Sequence, residues 1–307
     1  MNKNILLLGG HVSISGGLYK AFESGESIGC TAIQLFTKSN RQWHAKQITQ
    51  EDVYLFKQAY NKSSIKSVVA HASYLINIAS HDKAIAQKST DALKDELERC
   101  DQLGIKYLVL HPGSSGLGDQ KDSLDRVAEN INYIYTKNTI QTVLLLETMA
   151  GQGTSIAYKF EQLASIYAQI DDKEKIGVCF DTCHAFAAGY DFRTKETYES
   201  MWKEFDKILG IDLIKVIHVN DSKKDLGCKV DRHEFIAKGK IGKDAFEMLF
   251  NDPRFYNVIK ILEVPIETVN DYIPEFKLVL SLLSKKNLDL IKNTPLEKLI
   301  CNHTEQE

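Results

Sequence analysis

TVLLLE, Thr142–Glu147, is an apolar run that stops on a carboxylate. Consecutive branched aliphatic residues read as a strand buried on both faces, the habit of a parallel sheet. A glutamate ending such a strand points into a dry mouth of the sheet, where an unpaired charge is costly. The same phrase recurs: SVVAH ends on His71, KYLVLH on His111, IGVCFD on Asp181, LIKVIH on His218 and VIKILE on Glu263. Strands that each deliver a His or carboxylate at the same end are what a multinuclear metal site on an α/β barrel requires.

Working outward, ILLLGG (Ile5–Gly10) and TAIQLF (Thr31–Phe36) read as the first two strands. Amphipathic segments alternate with the strands. Helices are expected around Gly17–Gly29, Thr49–Tyr60, Asp82–Leu103, Leu124–Tyr135, Lys159–Ala168, Thr197–Ile208, Lys243–Leu249 and Tyr272–Leu283. Gly104 stops the third of these. Eight strand–helix units favour closure into a TIM (β/α)8 barrel over an open sheet. The expected organisation is one barrel domain over residues 1–283 and a polar C-terminal extension over 284–307. That extension reads either as a loosely attached appendage or as a short packing helix. GGHVSISGG after the first strand has neither the Rossmann nor the P-loop spacing.

A chain of 307 residues with 43% hydrophobic content can bury a core of this size. With 38 basic and 41 acidic residues its formal charge is −3, which gives no sign of a generic nucleic-acid coating protein. A local basic groove remains compatible, and bound divalent cations would turn the functional face positive. The six cysteines do not form a disulfide framework; Cys179 and Cys183 read as reduced thiols in the core or beside the site. MNKNILLLGG is too short in apolar residues for a signal peptide, and no segment approaches a membrane span. The expectation is a soluble intracellular protein, in the cytoplasm or nucleoid.

Two further elements join the strand-end residues. DTCH places His184 three residues after Asp181 at a strand-to-helix turn, and DRH places Asp231 and His233 on one side of an extended backbone. Any one histidine taken alone reads as an ordinary hydrogen-bonded residue; their joint occurrence in strand register does not. His71, His111, Glu147, Asp181, His184, His218, Asp231, His233 and Glu263 are too many ligands for one tetrahedral ion and suit a cluster of three. Imidazole and carboxylate donors favour zinc, with manganese or iron admitted. Such a cluster suits phosphate-ester hydrolysis, because paired ions activate a water while a third neutralises the leaving oxygen.

The chain resembles the endonuclease IV family of apurinic/apyrimidinic endonucleases. The resemblance rests on GGHVSISGGL (Gly9–Leu18), LFTKSNRQW (Leu35–Trp43), VVAHASYLINIAS (Val68–Ser80), LHPGS (Leu110–Ser114), LLETMAGQG (Leu145–Gly153), GVCFDTCHAFAAGYD (Gly177–Asp191), HVNDSK (His218–Lys223) and VDRHEFIAKGKIG (Val230–Gly242). It implies three Zn2+ ions. His71, His111 and Glu147 hold the first; Asp181, His218 and Glu263 complete the second, to which Glu147 bridges; His184, Asp231 and His233 hold the third. It implies hydrolysis of the phosphodiester 5′ to an abasic site in double-stranded DNA, leaving a 3′-hydroxyl and a 5′-deoxyribose phosphate during base excision repair. Glu147 and Glu263 are then the catalytic carboxylates, Glu263 also orienting the attacking water. Arg41 and Tyr74 match positions that enter the duplex, and the chain is expected to act as a monomer.

Two departures stand out. Ile236-Ala237-Lys238-Gly239 replaces the family's Leu-Gly-Glu-Gly, reversing a charge, and Val264 follows Glu263 where the family has Thr. These put affinity or substrate range in question while the ligands persist. The nearest rival is a sugar isomerase or epimerase on a similar barrel. Such a site uses one or two metals and has no need of His184, Asp231 and His233.

Overall fold

The computed structural model describes residues 5–301. Its main sheet has eight parallel strands: β1 Leu8–Gly10, β2 Ala32–Leu35, β3 Ser67–His71, β4 Tyr107–Leu110, β5 Val143–Glu147, β6 Ile176–Asp181, β7 Ile214–Val219 and, last in the chain, β10 Ile259–Leu262. Between β7 and β10 the chain makes a separate antiparallel pair, β8 Asp221–Ser222 with β9 His233–Glu234. In the main sheet each strand pairs with its successor from β2 to β7; β7 then pairs with β10, and β10 with β1. The ring closes through a parallel bridge between His11 and Gln34, with Val12 N–H donating to Gln34 O at 2.8 Å. This is the TIM barrel the alternating pattern predicts.

The helices are α1 Lys20–Ser27, α2 Gln50–Lys62, α3 Lys83–Leu103, α4 Gln120–Lys137, α5 Phe160–Ala168, α6 Thr182–Ala188, α7 Lys195–Ile208, α8 Lys243–Asn251, α9 Tyr272–Ser281 and α10 Pro295–Cys301. Local chemistry sets their starts. Asp82 caps α3 by accepting from Ala84 and Ile85 N–H, and Asp119 caps α4 by accepting from Lys121 and Asp122 N–H. Helix α4 therefore begins before Leu124, because its first turn is polar and shows no apolar period. Gly104 ends α3 at φ 75°, a conformation glycine adopts without strain.

Two apolar layers result. Helices pack on the outside of the strands as one large core. Inside the barrel sits a smaller plug of Ala32, Val69, Val109, Leu145, Cys179, Val216, Ile259 and Ile261. The extension also packs. Leu290 O accepts from Leu6 N–H at 2.9 Å, and Leu290, Ile291 and Leu296 are buried.

Candidate metal centre

Side chains on a strand alternate faces, so a residue two beyond an inward one also points inward. Val69 leads to His71, Val109 to His111, Leu145 to Glu147, Cys179 to Asp181, Val216 to His218 and Ile261 to Glu263. The plug thus forms a floor, and the polar residues stand on it at the C-terminal mouth. The same step from Ala32 gives Gln34, and from Gly9, which pairs with Ile261, it gives His11. Every barrel strand contributes to this layer. Gln34 and His11 were not among the residues singled out from sequence, although Gln34 is the lone polar residue between Ile33 and Leu35 in TAIQLF.

The ligands outside the main sheet arrive on two turns. Asp181 caps α6 by accepting from His184 N–H at 2.7 Å, which turns His184 back over the mouth. The β8–β9 pair carries His233, and Asp231 lies two residues before it in the connecting loop. Asp221 secures that loop: its Oδ1 accepts from Ser222 and Ile241 N–H, and its Oδ2 from Gly239 N–H. Gly239 has no alternative here, since a Cβ would come within 2.4 Å of Ser222 O.

Donor atoms converge in groups within 4.8 Å: His71, His111 and Glu147; Glu147, Asp181, His218 and Glu263; and His184, Asp231 and His233. Cys183 approaches Asp181 and His233 in a fourth grouping. Glu147, fully buried, faces both ways. Its Oε2 lies 3.2 Å from His71 Nε2 and 3.1 Å from His111 Nε2, while its Oε1 lies 3.1 Å from His218 Nδ1.

These separations also fit a shared cation. Tetrahedral bonds of about 2.0 Å place neighbouring donors about 3.3 Å apart. His184 Nε2 lies 3.2 Å from Asp231 Oδ2 and His233 Nε2 lies 3.3 Å from Asp231 Oδ1. Both nitrogens are nevertheless buried without a hydrogen-bond partner. Buried polar atoms are rarely left so unless something else binds them.

The outer nitrogens settle the tautomers. His71 Nδ1–H donates to Ala72 O at 2.7 Å, His184 Nδ1–H to Thr148 O at 2.9 Å and His233 Nδ1–H to Glu263 O at 3.0 Å. Each proton is held away from the centre, so each Nε2 lone pair faces inward. His218 is reversed: Nε2–H donates to Gln34 Oε1 at 2.8 Å and Nδ1 faces the carboxylates. The Gln34 amide is oriented by its other end, where Nε2 donates to Glu263 Oε1 at 2.6 Å. Asn220 does similar service, donating to Asp181 Oδ2 at 2.8 Å and accepting from Glu263 N–H at 2.9 Å.

Electrostatics agree with a cation-binding cage. Burial pushes the Glu147 carboxyl up, but the His111 and His218 rings outweigh it and hold it well below the usual range. Asp231 is likewise drawn down to about 2, burial being overcome by His184 and His233. Asp181 is raised, because burial dominates there. His184 is raised well above its ordinary value, Asp181, Asp231 and Glu147 overcoming burial.

Of the expected DNA-facing residues, Tyr74 is 55% exposed and its ring rests against His71 and His111, at 5.2 and 5.3 Å between centroids. Arg41 is exposed on the loop after β2. The departures fall away from the donor groups. Lys238 is exposed and its charge eases the burial of Glu275 on α9, while Val264 packs into the outer core.

Comparisons with known proteins point the same way. The family model for xylose isomerase-like TIM barrels matches residues 22–285. A probable endonuclease 4 of Chloroflexus aggregans is 47% identical over 259 residues, covering 84% of this chain and 90% of that protein. The probable endonuclease 4 of Geobacter sulfurreducens is 45% identical over 260 residues, 84% of this chain and 88% of its own. The crystal structure of endonuclease IV from Thermus thermophilus superposes with a TM-score of 0.80 at 34% identity, covering 90% of this chain and 99% of that one. A D-tagatose 3-epimerase-like protein, at 19% identity and a TM-score of 0.67, shares the fold alone. The chain belongs to the endonuclease IV family, within the xylose isomerase-like TIM barrels.

Proposed function

We infer that this chain is a metal-dependent endonuclease that hydrolyses the DNA phosphodiester 5′ to an abasic site, leaving a 3′-hydroxyl and a 5′-deoxyribose phosphate. The observation that carries the reading is the gathering of nine donor residues into three groups, two of which share Glu147. An isomerase has no use for the third group. We assign the ions as zinc on the donor set: imidazoles and carboxylates at tetrahedral spacing. Bound there, they supply an acidified water and neutralise charge on the phosphate and the leaving oxygen.

The chain's own groups do the rest. Glu147 offers one oxygen to the His71/His111 side and the other to the His218 side, so it would serve both donor groups when they are filled. Glu263 stays ionised, because His218 and His11 outweigh the burial that opposes its charge. Held by Gln34, it is the carboxylate we assign to orienting the attacking water. The apolar plug beneath excludes solvent and strengthens every charge contact above it.

Arg41 and Tyr74 are the side chains assigned to the DNA. An abasic nucleotide has little stacking to lose, so a protein that opens the duplex selects it by its low cost of extrusion. Tyr74, at the rim over His71 and His111, is suited to line the gap, and the Arg41 guanidinium to meet phosphate or fill the stack. We assign catalysis to the barrel domain of residues 1–283, acting as a monomer, with 284–307 an extension that buries Leu290, Ile291 and Leu296. Among the described residues no helix is long and apolar enough to cross a membrane.

The test is incision of a duplex carrying one tetrahydrofuran abasic analogue, with the ends identified. A cut on the 5′ side leaving a 3′-hydroxyl is expected. Intact DNA together with aldose–ketose turnover would transfer the site to sugar chemistry.

A further inference from the structure

Helix α3 buries ionic groups on a face where a barrel helix normally buries hydrocarbon. Ser89, Glu96 and Arg99 are all buried among Ala92, Leu93 and Leu97. This polar stripe lies under two loops, one following β2 and carrying Arg41, the other following β3 and carrying Tyr74. The first runs from Phe36 to Thr49 without a helix or strand, a length at which an unsupported loop is mobile.

It is not unsupported. Arg99 reaches both ends of it, Nη2–H donating to Thr37 O at 2.7 Å and Nη1–H to Lys46 O at 2.8 Å. Lys38 turns inward from the same loop, its side chain only 2% exposed, and its Nζ meets Asp95 Oδ2 at 2.8 Å, Glu96 Oε1 at 3.7 Å and Trp43 O at 3.2 Å. Glu96 Oε1 also accepts from Ser73 N–H at 3.1 Å, and Ser73 Oγ–H donates to Asn40 O at 2.8 Å. Ser73 immediately precedes Tyr74, and Asn40 immediately precedes Arg41. One hydrogen bond therefore joins the two loops at the residues next to their DNA-facing side chains, beside a Phe36–Tyr74 ring contact at 5.7 Å between centroids, and a buried ion pair anchors that joint to α3.

Buried ion pairs contribute little net stability and are best justified by the arrangement they impose. We propose that Lys38, Glu96 and Ser73 are positioning residues for DNA engagement, clamping the Arg41 and Tyr74 loops into one preformed body that grips the opened duplex. A preformed body does not have to be ordered when DNA binds, so the clamp acts on affinity. Among the described residues, Lys38, Glu96 and Ser73 make no hydrogen bond or ion pair to the donor residues of the hydrolytic centre. The proposal rests on Arg41 and Tyr74 being DNA contacts, and its test separates the two ideas.

The full-length, metal-loaded protein is compared with its Ser73→Ala, Lys38→Met, Arg41→Ala and Tyr74→Ala variants on the tetrahydrofuran duplex. Ser73→Ala deletes the joint between the loops with little risk to folding, and it decides the matter if Lys38→Met does not fold. Loss of one such hydrogen bond is expected to raise KM roughly five- to tenfold, with kcat and metal content unchanged. Acrylamide quenching of tryptophan reports the loop directly, because Trp202 is buried and Trp43 sits in the loop. It should increase in Ser73→Ala. Added to the Arg41→Ala/Tyr74→Ala double variant, Ser73→Ala should raise KM by less than about twofold, since both side chains it positions are already gone. Full additivity of the two losses would overturn the clamp. So would an unchanged KM in Ser73→Ala when Arg41→Ala and Tyr74→Ala both raise it. If neither Arg41→Ala nor Tyr74→Ala changes KM, the assignment of DNA contacts fails and the clamp with it.

Discussion

Gln34→Met is the substitution that separates a structural glutamine from one that prepares a metal ligand. Gln34 accepts from His218 Nε2–H at 2.8 Å and donates to Glu263 Oε1 at 2.6 Å and to His11 Nδ1 at 3.1 Å. Methionine keeps the length and fills the space but donates nothing and accepts weakly. His218 then loses the partner that holds its proton on Nε2, and Nδ1 is no longer reserved for an ion. Glu263 loses the bond that fixes one of its oxygens. Part of the cost, about 1–3 kcal/mol for a buried unpaired group, falls on the protein with or without metal. The differential part is the loss of ligand orientation, which in comparable sites is worth about 10- to 100-fold in metal affinity, or about 1.4–2.7 kcal/mol. The assay is zinc retention against a graded chelator, read by elemental analysis. One ion, at the Glu147/Asp181/His218/Glu263 group, should be released at about 10- to 100-fold lower chelator strength than in the parent protein. Identical release curves would refute the orienting role.

The remaining predictions concern the carboxylates, the protons and the extension. Glu263→Gln should bind the abasic duplex as the parent does yet cut it on the order of a hundredfold or more slower; normal turnover would contradict its role. His184 and His218 are raised above their ordinary 6.5: at His184, Asp181, Asp231 and Glu147 overcome burial, and at His218, Cys179, Glu263 and Glu147 do. Their stabilisation of the metal-free protein is thus complete below pH 6.5 and is lost as pH rises through the raised values. Melts of the chelated protein should fall from pH 6.5 upward, and calorimetry should show proton release when zinc is added at neutral pH. Deleting residues 284–307 uncovers ground under Leu290, Ile291 and Leu296, a loss of about 4.5–9 kcal/mol, at about 1.5–3 kcal/mol for each side chain. A clear drop in Tm with metal content retained is expected; an unchanged Tm would make the extension dispensable.

Much of this was legible because the barrel repeats one physical rule. A buried parallel strand is an apolar run, and whatever polar residue ends it must find a partner at the mouth. SVVAH and IGVCFD coincide with β3 and β6, and TVLLLE exceeds β5 by one residue. The rule reaches only polar residues that close a run, so Gln34, inside TAIQLF, and His11, past a glycine pair, lie outside it. Counting in steps of two from the inner plug recovers both. Asp221 and Asn220 were harder. The partners of Asp221, the N–H groups of Gly239, Ile241 and Gly242, lie across the β8–β9 excursion, and those of Asn220, the Asp181 carboxylate and the Glu263 N–H, are remote in sequence and meet it only when the barrel closes. The clamp beneath the Arg41 loop was hidden for a similar reason, since Glu96 and Arg99 on a helix read as a solvated face until a loop covers them.

Metal count is the deciding quantity. Elemental analysis of the purified full-length chain, after dialysis against buffered free zinc, should give three zinc ions per chain, falling to two when His184→Ala removes a ligand of the third group. A single ion per chain, or a count that His184→Ala leaves unchanged, would contradict the trinuclear centre.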